Sequence, residues 1–241
     1  MKRLLLLFAL ECYALSLPSI NNPAIWNEEE SWKIEKASVL AFRYSEPFEN
    51  FHNGKMDVAW SDGRFLAAAG FGSAVLDSIY RELEFSGGVG YKPFNFLSLK
   101  ISETANISWV PENGSWQEHR ISIGADLFYK DWAKVSALQK TYLASKTPAY
   151  FSGLLSCEIS FSSLYSFGIQ SPINDPAANF RIYQQIALGY FGVYNSFAYP
   201  GPVLGFGFVL SAGRVSAGVG HLRGSYPIGH TGYVGRWHKG I

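Results

Sequence analysis

Ionisable residues recur through the middle of the chain at every second position, each set among small polar neighbours. Glu82, Glu84, Lys100, Arg120, Asp126, Lys134, Lys140, Glu158 and Arg181, with Gln185, all fall at the polar parity of alternating segments. Acids and bases are nearly matched. Gathered on one side of a folded chain, such groups can neutralise one another as salt bridges, because unpaired buried charge is costly. They can also line a route that selects a small polar solute. The residue types leave both readings open and put the salt-bridge network first.

Other chemistries find little support. His119, His221 and His230 could serve as bases, with Ser216, Ser225 and Asp175 among many partners, for a hydrolase built at a rim. Nothing in their spacing singles out a nucleophile and its base, and such triads are defined by geometry rather than order. His221 and His230 flank HLRGSYPIGH, which reads as a solvated loop. The chain has no HExxH, no CxxC and no acidic calcium-loop pattern, so no metal site is expected. The glycines of GFGSA and GGVGYK sit inside strand rhythm, without the strand–loop–helix setting of a nucleotide loop. The expectation is a protein that is not an enzyme and holds no cofactor.

The elements that must position the charged residues are strands. In Val203 to His221, Leu204, Phe206, Phe208 and Leu210 alternate with Gly205, Gly207, Val209 and Ser211, and the pattern resumes after Ala212-Gly213-Arg214. That is a hairpin whose one face is large and apolar and whose other face is Gly and Ser, not charge. In Phe96 to Trp109, Leu97, Leu99, Ile101, Ala105, Ile107 and Trp109 oppose Ser98, Lys100, Ser102, Thr104, Asn106 and Ser108. Glu103 falls at the apolar parity, which predicts a bulge or a shifted register there. Turn signals separate the runs at Asp62-Gly63, 92–95, 111–114, Lys130-Asp131, 146–148, 174–176, 199–202 and Ala212-Gly213. The segment Leu155 to Ile169 keeps one parity throughout, which fits either one long strand or a hairpin with an odd-length turn. The runs sum to about 12 strands, with 10 to 14 allowed.

Many runs exceed ten residues, where a membrane-spanning strand needs about 9–11 and an ordinary strand averages about 5–6. Aromatics gather near their ends, as in the interface girdles of outer-membrane barrels. Charged residues are only 16% of the 241-residue chain and aromatics another 16%. The net charge of +1 supplies no field to attract nucleic acid. An all-β, antiparallel transmembrane β-barrel is therefore predicted, with its apolar parity toward lipid and the charged parity lining the lumen. The alternative is an exported soluble β-sandwich binding module that turns the same apolar faces inward.

The N-terminus reads as an export signal. Lys2 and Arg3 precede the apolar Leu4 to Leu10, Glu11 interrupts that core, and Ala14-Leu15-Ser16 places cleavage after residue 16. Removal of Cys12 would leave Cys157 alone, at the parity of Leu155, Ile159 and Phe161, as a small apolar filler. Asn27 followed by three glutamates predicts a short helix over Glu28 to Ile34.

Three stretches resemble a family. SINNPAIW, after the predicted cleavage site, resembles the Asn-Pro-Ala motif near the mature N-terminus of FadL-like and PorV/PorQ-like bacterial outer-membrane proteins. GVGYKPFNFLSLKIS resembles their strand–turn–strand units, and SFGIQSPINDPAANFRIYQQIALGY a later strand, loop and strand. The resemblance implies residues 1–16 as signal peptide, 17–37 as a plug in the lumen and 38–241 as the barrel. Asn22, Pro23 and Ala24, with Trp26 beside them, would lie in the plug. It implies passage of small or hydrophobic solutes across the bacterial outer membrane or, for PorV-like relatives, partnership with a secretion system. The chain is shorter than the 14-stranded members of that family, and it ends in WHKGI rather than a terminal aromatic.

Overall fold

The computed structural model describes residues 37–240, apart from residues 49, 112, 131–132, 145–146, 163–164, 173–179, 189, 200–202, 213 and 224–228. The expected signal, the plug with Asn22, Pro23, Ala24 and Trp26, and the helix at Glu28–Ile34 lie outside the described residues.

The described chain forms 14 antiparallel strands. They run β1 (Ala37–Phe48), β2 (Phe51–Ser61), β3 (Phe65–Leu76), β4 (Tyr80–Phe94), β5 (Leu97–Val110), β6 (Gly114–Tyr129) and β7 (Ala133–Ala144). There follow β8 (Thr147–Ser162), β9 (Tyr165–Pro172), β10 (Phe180–Leu188), β11 (Phe191–Tyr199), β12 (Val203–Ala212), β13 (Val215–Arg223) and β14 (Gly229–Gly240). Each strand pairs with its sequence neighbours, and β1 pairs with β14 from Ala37↔Gly240 to Glu46↔Thr231. The sheet is thereby a closed up-and-down barrel without a free edge, the arrangement that satisfies backbone hydrogen bonds in lipid.

Fourteen strands stand at the top of the expected range of 10 to 14, above its central figure of 12, because several turns carry little sequence signal. The chain reverses at Asn50 (φ 64°) and Asp77 (φ 43°), residue types that accept left-handed backbone without glycine. The one-parity stretch is resolved as a hairpin: Ile159 faces Phe167 and Cys157 faces Ile169, and a register shift between Ser160 and Ser162, before the closing pair Ser162↔Tyr165, keeps both strands on one parity.

Alternation sorts the two faces as expected. Phe206, Phe208 and Leu210 of β12, and Leu99, Ile101 and Ile107 of β5, are exposed on the outside. Val209, Ser98, Lys100 and Thr104, at the opposite parity, are buried inside. A continuous apolar exterior of this extent on a closed barrel is a lipid-facing surface rather than a soluble one. Aromatics flank it toward both ends: Phe65 stacks on Tyr91 and Phe94 on Phe96 at the end holding the termini, and Tyr44 stacks on Tyr233 toward the other. Free Cys157 is half-buried, between outward-facing Val135 and Ile169.

The bulge expected at Glu103 is absent. Glu103 pairs in unbroken register with Gly87 on one side and Ile121 on the other. The residue simply points outward, with its carboxylate Oε1 2.8 Å from His119 Nδ1.

Candidate functional site

The lumen gathers nearly all the charged residues that alternation assigns to it, along one wall from β2 to β8. Lys100 of β5 lies beside Gly124 of β6 and reaches Asp126, two residues further on, at 3.2 Å. Both side chains are less than one-tenth exposed, and Ser98 Oγ donates a second hydrogen bond to Asp126 at 3.1 Å. The absent side chain of Gly124 makes this reach feasible: a Cβ there would stand 2.7 Å from Lys100 Cε. Lys134 of β7 faces Glu158 of β8 and pairs with it at 3.4 Å.

Towards the other end of the lumen, Glu84 of β4 pairs with Lys55 of β2, across the intervening Gly72 of β3. A Cβ on Gly72 would meet Glu84 Cβ at 3.3 Å. Lys55 also lies 3.6 Å from Asp57 on its own strand. Glu82 accepts hydrogen bonds from the Tyr80 hydroxyl and from Ser108 Oγ, the latter at 3.3 Å. Arg120 of β6 donates to Thr104 Oγ1 at 3.4 Å. Lys140 is half-buried on β7, opposite Ser122. The expected residues from Glu82 to Glu158 therefore stand along one wall, but as two separate clusters rather than one constellation.

Arg181 sits on β10 between Gln170 and Ala198, and Gln185 lies four residues on; their side chains lie outside the description. Lys55, Asp57, Tyr80 and Glu118 were not among the expected lining residues. The alternation of Lys55, Asp57, Ala59 and Ser61 against Met56, Val58 and Trp60 carries the signal that identifies the first two.

The wall from β9 to β14 is different. Its buried inward positions include Gly168, Gly192, Gly205, Gly207, Val209 and Gly220, with Ser196 and Tyr183. Tyr183 lies over Gly168 on the neighbouring strand. One wall thus carries paired charges and hydroxyls, and on the other the described buried inward positions are mostly glycine, with Arg181 and Gln185 at inward positions of β10.

Among the described residues no catalytic arrangement is assembled. His119 faces outward beside Glu103, and His221 is exposed on the outer face of β13. Asp175 and Ser225 lie outside the described residues, as do the side chains of Ser216 and His230. Among the described residues no group of His, Cys, Asp and Glu could hold a metal ion. An apolar trough of about 600 Å³, walled by Phe42, Tyr44, Phe71 and Tyr233, opens on the lipid side and not into the lumen.

No family model and no curated protein sequence matches the chain. Solved structures do. The CymD monoaromatic hydrocarbon channel superposes with a TM-score of 0.58 at 10% identity, over 91% of each chain. The KdgM porin has a TM-score of 0.49 at 10% identity, covering 83% of this chain and 98% of its own. A variant of the Rh. blastica porin gives 0.46 at 10% identity, covering 84% and 98%. At such identities the likeness concerns the fold alone, and the CymD match carries it: this chain has the fold of an outer-membrane channel barrel.

Proposed function

We propose that this chain is a non-enzymatic barrel of the bacterial outer membrane that passes small solutes bearing a polar group through its lumen. The observation that carries the reading is the split lining. A wall of paired charges and hydroxyls faces a wall whose described buried inward positions are mostly glycine, so the first supplies hydrogen-bonding partners and the glycine positions of the second let a solute approach the backbone. CymD is a channel for monoaromatic hydrocarbons; the charged wall here suits a solute that offers hydrogen bonds beside any apolar part, since passing pure hydrocarbon would leave those groups desolvated without compensation.

The FadL-like part of the proposal concerns the N-terminal segment. Residues 17–37, with Asn22, Pro23, Ala24 and Trp26, would enter the lumen from the end where β1 begins. A chain lacking residues 17–36 should then show higher single-channel conductance in planar bilayers, and faster liposome swelling with small sugars, than the mature protein. Equal conductance would count against the plug, and no conductance from either form would count against passage.

A second reading follows from the close matching of charge in the clusters. A lumen sealed by ion pairs suits a structural scaffold or a PorV/PorQ-like partner of a secretion system. Pull-down from detergent extracts would then recover one stoichiometric protein partner, and conductance would stay at background.

A further inference from the structure

Glu103 is the anomaly of the outer surface. It sits midway along β5, between Ile101 and Ile107, on the face that meets lipid, with its side chain 59% exposed. An ionisable group in that band is costly and calls for a partner. His119 partly supplies one through Glu103 Oε1. On the same face Gln139 of β7 is also exposed, and its amide has no hydrogen-bond partner among the described residues. Between them lie only Ile121 and Ile123 of β6.

The register places Glu103 and Gln139 at matching depth. Hydrogen-bonded rows climb away from the terminal end as they pass from β1 to β7. The row that starts at Ala41, near the beginning of β1, runs through Asp57, Gly70, Ser86, Thr104 and Arg120 to Tyr142, near the end of β7. With strands about 4.8 Å apart and tilted about 40°, each step raises the row by about 3 Å. From Glu103 the row passes Ile121 to Thr141, about 6 Å higher. Gln139 lies two residues back along β7, which lowers it by about 5 Å and returns it to the depth of Glu103.

From this geometry we infer that the β5–β7 face is a self-association surface, occupied by a second copy of this chain. Two copies in one membrane share their orientation, so a two-fold axis must run along the membrane normal and preserve depth. An axis passing at Ile121 and Ile123 sets Glu103 of each copy against Gln139 of the other. Each Gln139 Nε2 then donates to the free Oε2 of the opposing Glu103, twice over by symmetry. The match is between acceptor and donor, whereas the nearly vertical Glu103–His119 pair would oppose its own like groups under the same axis. Gly87, directly beside Glu103, has no side chain, and a Cβ there would meet nothing nearer than Ala68 O at 4.0 Å, so the approaching surface meets no protruding side chain at this position. The inference requires the lipid-facing reading of this wall, not solute passage.

The test uses the full chain refolded into phosphatidylethanolamine/phosphatidylglycerol vesicles, on a background with Cys12→Ser and Cys157→Ser. Mixed Glu103→Cys and Gln139→Cys proteins should form a disulfide-linked dimer on mild oxidation, while Glu103→Cys alone and a Phe206→Cys control on the opposite wall should not. Wild-type protein released from nanodiscs should give the mass of two barrels. The Glu103→Leu, Gln139→Leu protein should keep the folded barrel's mobility in unheated SDS and associate about tenfold more weakly. Cross-linking no greater than the Phe206→Cys control, a single-barrel mass for the wild type, or a tightly held lipid or foreign protein on this face in place of a second copy would each overturn the inference.

Discussion

Lys100 and Asp126 are each enclosed, and their attraction offsets a desolvation cost that neither could bear alone. Asp126→Asn should destabilise the barrel by up to about 3–5 kcal/mol, because it removes the carboxylate that neutralises a buried ammonium. The double change Lys100→Met, Asp126→Leu should cost much less, since it removes both charges. Urea titration in lipid vesicles, followed by tryptophan fluorescence, would measure the difference. Equal losses for the single and double variants would mean that lumen water already satisfies the pair. Most of this lining was legible at the level of single residues, because period-2 alternation assigns a face before any contact is known. Glu82, Lys100, Asp126 and Glu158 were found that way. Who pairs with whom was not legible. Lys55 reaches Glu84 across a glycine two strands away, and that reach depends on register, which alternation does not supply. Glu103 was misjudged for a related reason. Parity identified an acid on the apolar face, but the sequence offered no sign that His119 on the next strand would meet it, so a bulge was the simpler expectation.

At the scale of the element, each hairpin depends on a turn chemistry that the sequence announced unevenly. Asp62-Gly63 was visible, and the structure shows why it works. Asp62 Oδ1 accepts main-chain N–H groups from Phe65 and Arg64, both at 2.8 Å, and Gly63 takes φ 97°. The Phe65 and Arg64 donors hold the Asp62 carboxyl below the usual carboxylate range. A carboxyl whose folded pKa is lowered stabilises the fold at pH above its unfolded value, and that contribution is lost as the pH falls through the lowered value. Asp62→Asn keeps an acceptor oxygen but not the ionisation. The wild type should therefore melt higher than Asp62→Asn at pH 7, and the two should converge at pH 2, read as the temperature at which the unheated SDS band disappears. A constant gap across that range would assign the effect to geometry rather than charge. The turns at Asn50 and Asp77 use the same tolerance of left-handed backbone without a neighbouring glycine, so turn residues alone did not reveal them. Two hidden reversals of this kind, with the register shift near the end of β8, account for much of the distance between the central expectation of 12 strands and the observed 14.

For the whole molecule, closure converts a local pattern into a choice of solvent. Every strand of the described barrel has both neighbours satisfied, so the surface left to solvent is side chains alone, and on the outside they are apolar. Alternation by itself does not choose between lipid outside and core inside, because it is identical in a sandwich and a barrel; long runs, low charge and terminal aromatics decided the sequence reading for the barrel. Only the β1–β14 pairing turns the same faces outward. Phe208 separates the two cases experimentally. It lies on β12 between outward-facing Val193 and Val219 and is half exposed. In a soluble sheet an arginine at an exposed site would cost little. On a lipid-facing barrel wall Phe208→Arg should cost about 2–4 kcal/mol near the bilayer midplane, falling towards zero for the same change near either interface. Refolding yield into vesicles, scored by the faster-moving unheated band, should thus fall for Phe208→Arg and hardly change for Tyr199→Arg at the strand end. If both variants fold as well as the wild type, the apolar wall does not face lipid. The depth match between Glu103 and Gln139, which presupposes a bilayer, would then lose its meaning too. The two experiments are linked through the membrane but read different surfaces, so a low yield for Phe208→Arg with a monomeric wild type would retain the barrel and remove only its partner.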